Sequence, residues 1–348
     1  MRQITGTAIA VATACVVGAV ALANIPAAGH SAPPVTKKTR HAHPPAGLSP
    51  VEVASRYLSI NLGAGTATVR RTSTGAKVAT LHPPRGARFF GVGGGADDRT
   101  FVLATNRSSG ELLYKVVLNQ HGQPGPIVKL AIPPLPSHFG SCPAQIAGLA
   151  TNLSQDTVAV SITSDCPDGR AGPSEILTAR ISTGRILATF HPGHGYPMFL
   201  SWTVTGSLVY DWSGQTAGIF LIPDATKSTS KTRLLVSNSD SVGGFSNANY
   251  PMVSPDGGNV FATVNRGSDT AIAAFQTRGN RRAALVTPVV HDPAQFCGPL
   301  WAESPGRKGL AACGNRNEFE IQNGKVTKLH RPWLLPNYPA PEAPLIAW

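Results

Sequence analysis

The sequence predicts an all-β fold, a β-propeller of four-stranded blades. Six blades are expected, with seven as the alternative count, closed by the C-terminal strand joining the N-terminal blade. Three observations predict it. Beyond residue 50 no stretch carries the long i, i+3, i+4 apolar pattern of a helix, and short β-branched and aromatic runs end at Gly, Pro, Asn or Asp instead. A strand–turn–strand signature returns along the chain at nearly constant spacing. The first unit lacks an opening strand, and the last residues supply one.

Composition agrees. The 348 residues include 36 Gly and 30 Pro, and charged residues make up only 14%, against roughly 25% in ordinary soluble domains. Hydrophobic residues reach 42%, which excludes a disordered chain. Many short strands joined by tight turns fit these values.

The repeat has two parts. The first is an apolar strand, a polar turn and a second apolar strand. It occurs at residues 90–104 around Asp97-Asp98-Arg99-Thr100, at 146–161 around Ser154-Gln155-Asp156-Thr157, and at 199–211 around Thr205-Gly206-Ser207. It recurs at 251–264 around Ser254-Pro255-Asp256-Gly257 and at 300–312 around Ser304-Pro305-Gly306-Arg307. Asp98 to Asp156 spans 58 residues, and the next three intervals, to Gly206, Asp256 and Gly306, span 50 each. The long interval contains a Pro-rich segment, 133–136, which reads as a loop.

The second part is another strand pair, at 175–192 around Thr183-Gly184, 271–288 around Arg278-Gly279 and 318–332 around Asn323-Gly324. Four strands per unit is the pattern of a propeller blade. Residues 57–84 match only the later part of a unit, while Leu345-Ile346-Ala347-Trp348 resembles the opening strand at Phe199-Leu200-Ser201-Trp202. Joining the two removes the open sheet edge at the seam.

Residues 1–32 read as a targeting segment. After Arg2, residues 7–23 carry no charge, and Ala21-Leu22-Ala23 offers small residues to a signal peptidase. The run also approaches the length needed to cross a bilayer, so cleaved signal and retained anchor both stand. Either places the rest outside the cytoplasm. Residues 33–54 form a Pro-rich linker containing Lys37, Lys38, Arg40, His41 and His43, and residues 55–348 form the propeller.

Ser254-Pro255-Asp256-Gly257 followed by Val260-Phe261-Ala262 resembles the S-P-D-G repeat of TolB-like and WD40-like propellers. Residues 96–104 are similar to a degenerate copy, of a kind found in actinobacterial propellers with an N-terminal membrane segment. The resemblance covers roughly residues 55–348 and implies fold, not reaction, because these motifs build turns. Thr205-Gly206 and Pro305-Gly306 depart from the Asp-Gly pattern.

Cys142, Cys166, Cys297 and Cys313 are an even set in an exported chain, which favours disulfides. The midpoint of 142 and 166 falls at Ser154, and that of 297 and 313 at Pro305, both inside predicted turns. Each pair therefore flanks one hairpin, where directly opposed residues come close enough to bridge. A zinc site lacks any C-x-x-C pair.

His138, His194 and Asp292 lie in predicted blade-to-blade connections and are candidates for the face of the central channel. His82, His191, His291 and His330 recur after last strands, and Asp211 and Glu303 lie near strand ends. None forms a dense acid–histidine group. Trp202, Trp212, Trp301 and Trp348 read as blade packing, and the Gly-rich run 91–95 as close approach of inner strands. No G-x-S-x-G, H-E-x-x-H or phosphate-binding loop with Lys is present, so no cofactor or metal is expected and the catalytic residues stay unassigned.

The net charge of +12 outside the cell suits an anionic envelope polymer. The expected function is that of a monomeric extracytoplasmic binding or scaffold protein with a protein or cell-envelope ligand. It meets the membrane only through its N-terminal segment and does not bind nucleic acid. A lactonase-like hydrolase using the central channel is the alternative.

Overall fold

The computed structural model describes most of residues 56–277, and beyond them the backbone of the strands up to Ala347. The predicted targeting segment and linker, at residues 1–54, lie outside the described residues. No described helix is long and apolar enough to cross a membrane. The chain divides into a unit at Met1–Leu48 and one at Ser49–Trp348; the second is all-β.

Strands β1 (Arg56–Asn61), β2 (Thr66–Arg71) and β3 (Lys77–Leu81) form one antiparallel sheet. The next contains β4 (Arg88–Gly94), β5 (Thr100–Asn106), β6 (Leu112–Val117) and β7 (Val128–Lys129). The third contains β8 (His138–Phe139), β9 (Cys142–Asn152), β10 (Thr157–Ser164), β11 (Pro173–Arg180) and β12 (Ile186–His194). Then come β13 (Tyr196–Trp202), β14 (Leu208–Ser213), β15 (Gly218–Ile222) and β16 (Arg233–Ser237). The fifth contains β17 (Ser246–Val253), β18 (Asn259–Arg266), β19 (Asp269–Gln276) and β20 (Ala283–Leu285), with β21 (Val290–His291) also on β19. The last consecutive set is β22 (Cys297–Glu303), β23 (Lys308–Cys313), β24 (Asn317–Gln322) and β25 (Lys325–Leu329). The short β26 (Ile346–Ala347) pairs with β1, Leu58 opposite Ala347.

This is a propeller of antiparallel sheets, and the burial pattern explains its sequence. Second strands are apolar on both faces because each face meets a different layer. On β5, Phe101 and Leu103 pack with Leu58 and Val69 of the preceding sheet, whereas Val102 and Ala104 pack with Ile146 and Val160 of the following one. On β14, Leu208 and Tyr210 face one layer and Val209 the next. A strand buried on both faces reads as a continuous apolar run rather than an alternation. The core is thus a series of layers between sheets. The outer strands β7 and β20 are short and largely exposed.

The described turns reach one geometry by different chemistry. The Gly257 N–H donates to the Ser254 carbonyl at 2.7 Å, and the Asn259 N–H to Ser254 Oγ at 2.9 Å. One sheet earlier Thr203 does the same work, accepting from the Ser207 N–H at 3.0 Å through Oγ1. Two sheets before that, Asp97 Oδ1 accepts from the Thr100 N–H at 2.8 Å. Side chains that mimic a backbone turn are interchangeable here, which is why the motif degenerates between copies. The Gly-rich run on β4 has a packing cause as well. A Cβ on Gly93 would stand 3.4 Å from the Ala150 Cα of the next inner strand.

Cys142 and Cys166 form a disulfide with Cα atoms 4.2 Å apart. Continuing the β9–β10 register, in which Ser164 opposes Ala144, places these two residues opposite each other. Cys297 opposes Cys313 in the register of β22 and β23, while their side chains lie outside the described residues. The long interval between Asp98 and Asp156 holds the connection 130–141, which adds β8 and no further sheet among the described residues.

Candidate functional site

The first strands of successive sheets pack on one another, β4 on β9, β9 on β13, β13 on β17 and β17 on β22. Each of them carries an extra residue against its partner. The register shifts between Phe89 and Gly91, at Ala147, between Met198 and Ser201, twice within β17, and between Pro299 and Trp301. Such bulges bend a strand and re-aim its side chains, and they concentrate at functional surfaces.

Two adjacent bulges hold aromatic residues in unusual backbone. Phe199 has φ 52° and Tyr250 φ 55°, with Asn247 at 54°. Positive φ is an outlier for a bulky side chain and persists only where its surroundings over-determine it. The two rings meet edge to face, 4.3 Å between centroids. Both side chains are half-buried.

Buried carboxylates from the preceding sheet hold two of the bulges, those at Tyr250 and at Ala147. Asp211 on β14 is 6% exposed and accepts from the Tyr250 N–H at 3.2 Å. Glu111, just before β6, is 8% exposed and accepts from the Ile146 N–H at 2.8 Å, beside the bulge at Ala147. A bulge frees a backbone donor from the ladder, and a buried donor needs an acceptor. Burial pushes both carboxyls up to about 7, although the backbone bonds they accept pull the other way. Neither is paired with a described cation.

The predicted channel-face residues do not gather. His138 lies on β8 at the inner edge of the third sheet, with Nδ1 3.1 Å from Ser137 Oγ. His194 ends β12 at the opposite edge of that sheet, with Nδ1 3.3 Å from the Ala171 carbonyl. Four strand spacings separate those edges by about 19 Å. Asp292 lies outside the described residues. His191 falls within β12 rather than after it, 4.0 Å from Glu175, whose carboxyl burial raises. His82 is exposed. Tyr196 donates its hydroxyl to Asp165 at 2.5 Å and is itself raised by that bond. Among the described residues no three His, Cys, Asp or Glu side chains group as metal ligands.

Trp202 and Trp212 are buried between sheets, and Trp202 Nε1 donates to the Ala150 carbonyl at 3.2 Å. They pack the blades. The side chains of Trp301 and Trp348 are outside the described residues. The bulges went unpredicted. A usable signal was present, since Phe90, Phe199 and Tyr250 are aromatic at one point of the repeat.

No family model matches the sequence, and no curated protein matches it. Solved structures do resemble it in fold. An oligogalacturonate lyase in complex with manganese is 12% identical, covering 81% of this chain and 80% of that one, with a TM-score of 0.51. An ACO/RPE65 chimera is 14% identical over 85% of this chain and 72% of that one, with a TM-score of 0.50. TolB from Acinetobacter baumannii is 13% identical over 84% of this chain and 65% of its own, with a TM-score of 0.48. At such identities the likeness concerns the propeller alone.

Proposed function

We propose that the chain is an extracytoplasmic propeller that binds a protein or an envelope polymer through the surface of its inner strands. The observation that carries this reading is the pair of bulged, positive-φ aromatics, Phe199 and Tyr250, on adjacent inner strands. Strain held in place by neighbouring structure is a mark of a working surface. Aromatic groups also supply large contact area at low conformational cost.

Location outside the cytoplasm is supported by the disulfide of Cys142 and Cys166 and by the uncharged run at residues 7–23. Opposed register supports a second disulfide between Cys297 and Cys313. Six blades are supported by five sheets of consecutive strands and a sixth made by β1–β3 with β26. In this arrangement the pairing of Leu58 with Ala347 fastens the chain's end to its first blade.

The test uses the full chain on isolated cell envelopes and on their separated protein and polymer fractions. Saturable binding to one fraction is expected, weakened about tenfold or more by Tyr250→Ala. Val128→Ser, an exposed change on an outer strand, leaves it unchanged. Equal binding by all three proteins would sink the reading.

A further inference from the structure

The strands of each sheet alternate in direction, so one end of a blade, here the turn end, carries the turns between its first and second and its third and fourth strands, and the other, the connection end, carries the turn between its second and third strands and the connection to the next blade. Neighbouring sheets keep these ends aligned. At the turn end Asn152 Nδ2 donates to the Thr203 carbonyl at 3.0 Å, and Arg56 to the Gln120 carbonyl at 2.5 Å. At the connection end the Phe89 N–H donates to the Gly65 carbonyl at 3.0 Å, and the Gly195 N–H to the Gly172 carbonyl at 3.4 Å.

Charge is divided unequally between these ends. The turn end exposes Arg71, Lys77, Arg180, Arg185, Lys231 and Arg233. Its described carboxylates are engaged within turns. Asp97 accepts from the Arg99 and Thr100 N–H groups, Asp156 from the Ser182 N–H, and Asp224 pairs with Lys227 at 2.8 Å. At the connection end carboxylates offset two of the cations, Arg170 pairing with Asp168 at 2.5 Å and Arg266 with Asp269 at 3.1 Å. Among the described residues the excess of cations over carboxylates therefore lies on the turn end.

Two further observations concern the same end. Ile186 and Val117, each more than 40% exposed, lie beside its turns. Arg56 opens β1 there, so the propeller begins at its basic end. The sequence ahead of it contains the uncharged run at residues 7–23 and the basic Lys37, Lys38 and Arg40.

We propose that the turn end rests on an anionic bilayer surface, leaving the connection end turned outward. This rests on the extracytoplasmic reading above. Clustered Lys and Arg at a lipid surface are attracted to anionic headgroups within a Debye length, and flanking apolar side chains reach the interface.

The full chain is placed in nanodiscs of phosphatidylcholine alone or with about a third phosphatidylglycerol. Trypsin then reads the surface directly, because it cuts after the residues in question. Cleavage after Arg185 and Lys231 should slow about fivefold or more in the anionic discs and recover at high salt. Cleavage after Arg85 and Arg170 should be alike in both discs. Equal rates at the turn end, or protection at the connection end instead, would overturn the proposal.

Arg180→Glu with Arg233→Glu should abolish the protection, while Arg85→Glu with Arg170→Glu, an identical charge change, should keep it. Loss in both would mean that net charge alone acts, which also overturns it. Release of the chain by alkaline carbonate counts only against a retained N-terminal segment. The same digestion with added anionic vesicles then decides about the turn end. Protection by a soluble anionic wall polymer and not by lipid would contradict the proposal and give the surface to the polymer.

Discussion

The blades use carboxylates in two opposite ways. At the turn end Asp97, Asp156 and Asp224 close turns by accepting backbone N–H groups, and hydrogen bonds to Lys227 and Thr226 hold Asp224 below the usual carboxylate range. In the half toward the connections, Glu111 and Asp211 are buried and raised to about 7, each latched to an inner strand of the next sheet. At Asp97 the first kind is local and forgiving, since Thr203 and Ser254 serve alike in their own sheets. The second is long-range and specific. Stability rests on repeated turns in the first case and on single side chains in the second.

The largest effect expected on this contrast comes from the cross-link of the third sheet. Replacing Cys142 and Cys166 together by Ser should remove about 2–4 kcal/mol in equilibrium denaturation. A loss under ~0.5 kcal/mol would show that the hairpin needs no fastening there. Next comes Asp211→Ala, which leaves the Tyr250 N–H buried without its acceptor and should remove about 1–3 kcal/mol. It should also increase hydrogen exchange along β17 more than along β5. Uniform exchange would dissolve the distinction between latch and turn.

The smallest effect is expected at a turn. Asp97→Ala should remove about 0.5–1.5 kcal/mol, and Asp97→Ser should restore most of it, because Ser254 and Thr203 already do this work in their own sheets. Failure of Ser to substitute would mean that the turns are not equivalent.

The contrast also sets what the sequence made legible. Turn chemistry is local, so Ser254-Pro255-Asp256-Gly257 and its degenerate copies located hairpins within a residue or two. The cysteine midpoints did so again because both ends of a hairpin are equidistant from its turn; Cys142 with Cys166 is the instance whose bond is described. Gly93 was readable as close approach because a Cβ there would already touch Leu149 and Ala150 of the next inner strand.

The inner-strand surface was not legible in the same way. A bulge is decided by the register between two strands, and the residue that holds it open arrives from another sheet, 39 positions away for Asp211 and Tyr250. Asp211 was noted only as an acid near a strand end, and its role depends on a burial that no local pattern reveals. His138 and His194 looked alike in sequence, each near a connection. The sheet order puts them on opposite edges. His191 falls inside β12 because that strand runs on to His194 before Gly195 turns it into β13.

The pH dependence of the Asp211 latch tests the account most directly. A carboxyl whose folded value is raised to about 7 holds its proton in the folded state and loses it in the unfolded one at intermediate pH. Its contribution to stability is therefore full below about pH 4 and is lost as pH rises through 7. Asp211→Asn keeps an acceptor for Tyr250 without the buried charge. Measured by thermal unfolding, the variant should match the parent near pH 4 and exceed it progressively to pH 8, by a few kcal/mol at most. An offset that stays constant across that range would contradict the buried, raised carboxyl on which the latch depends.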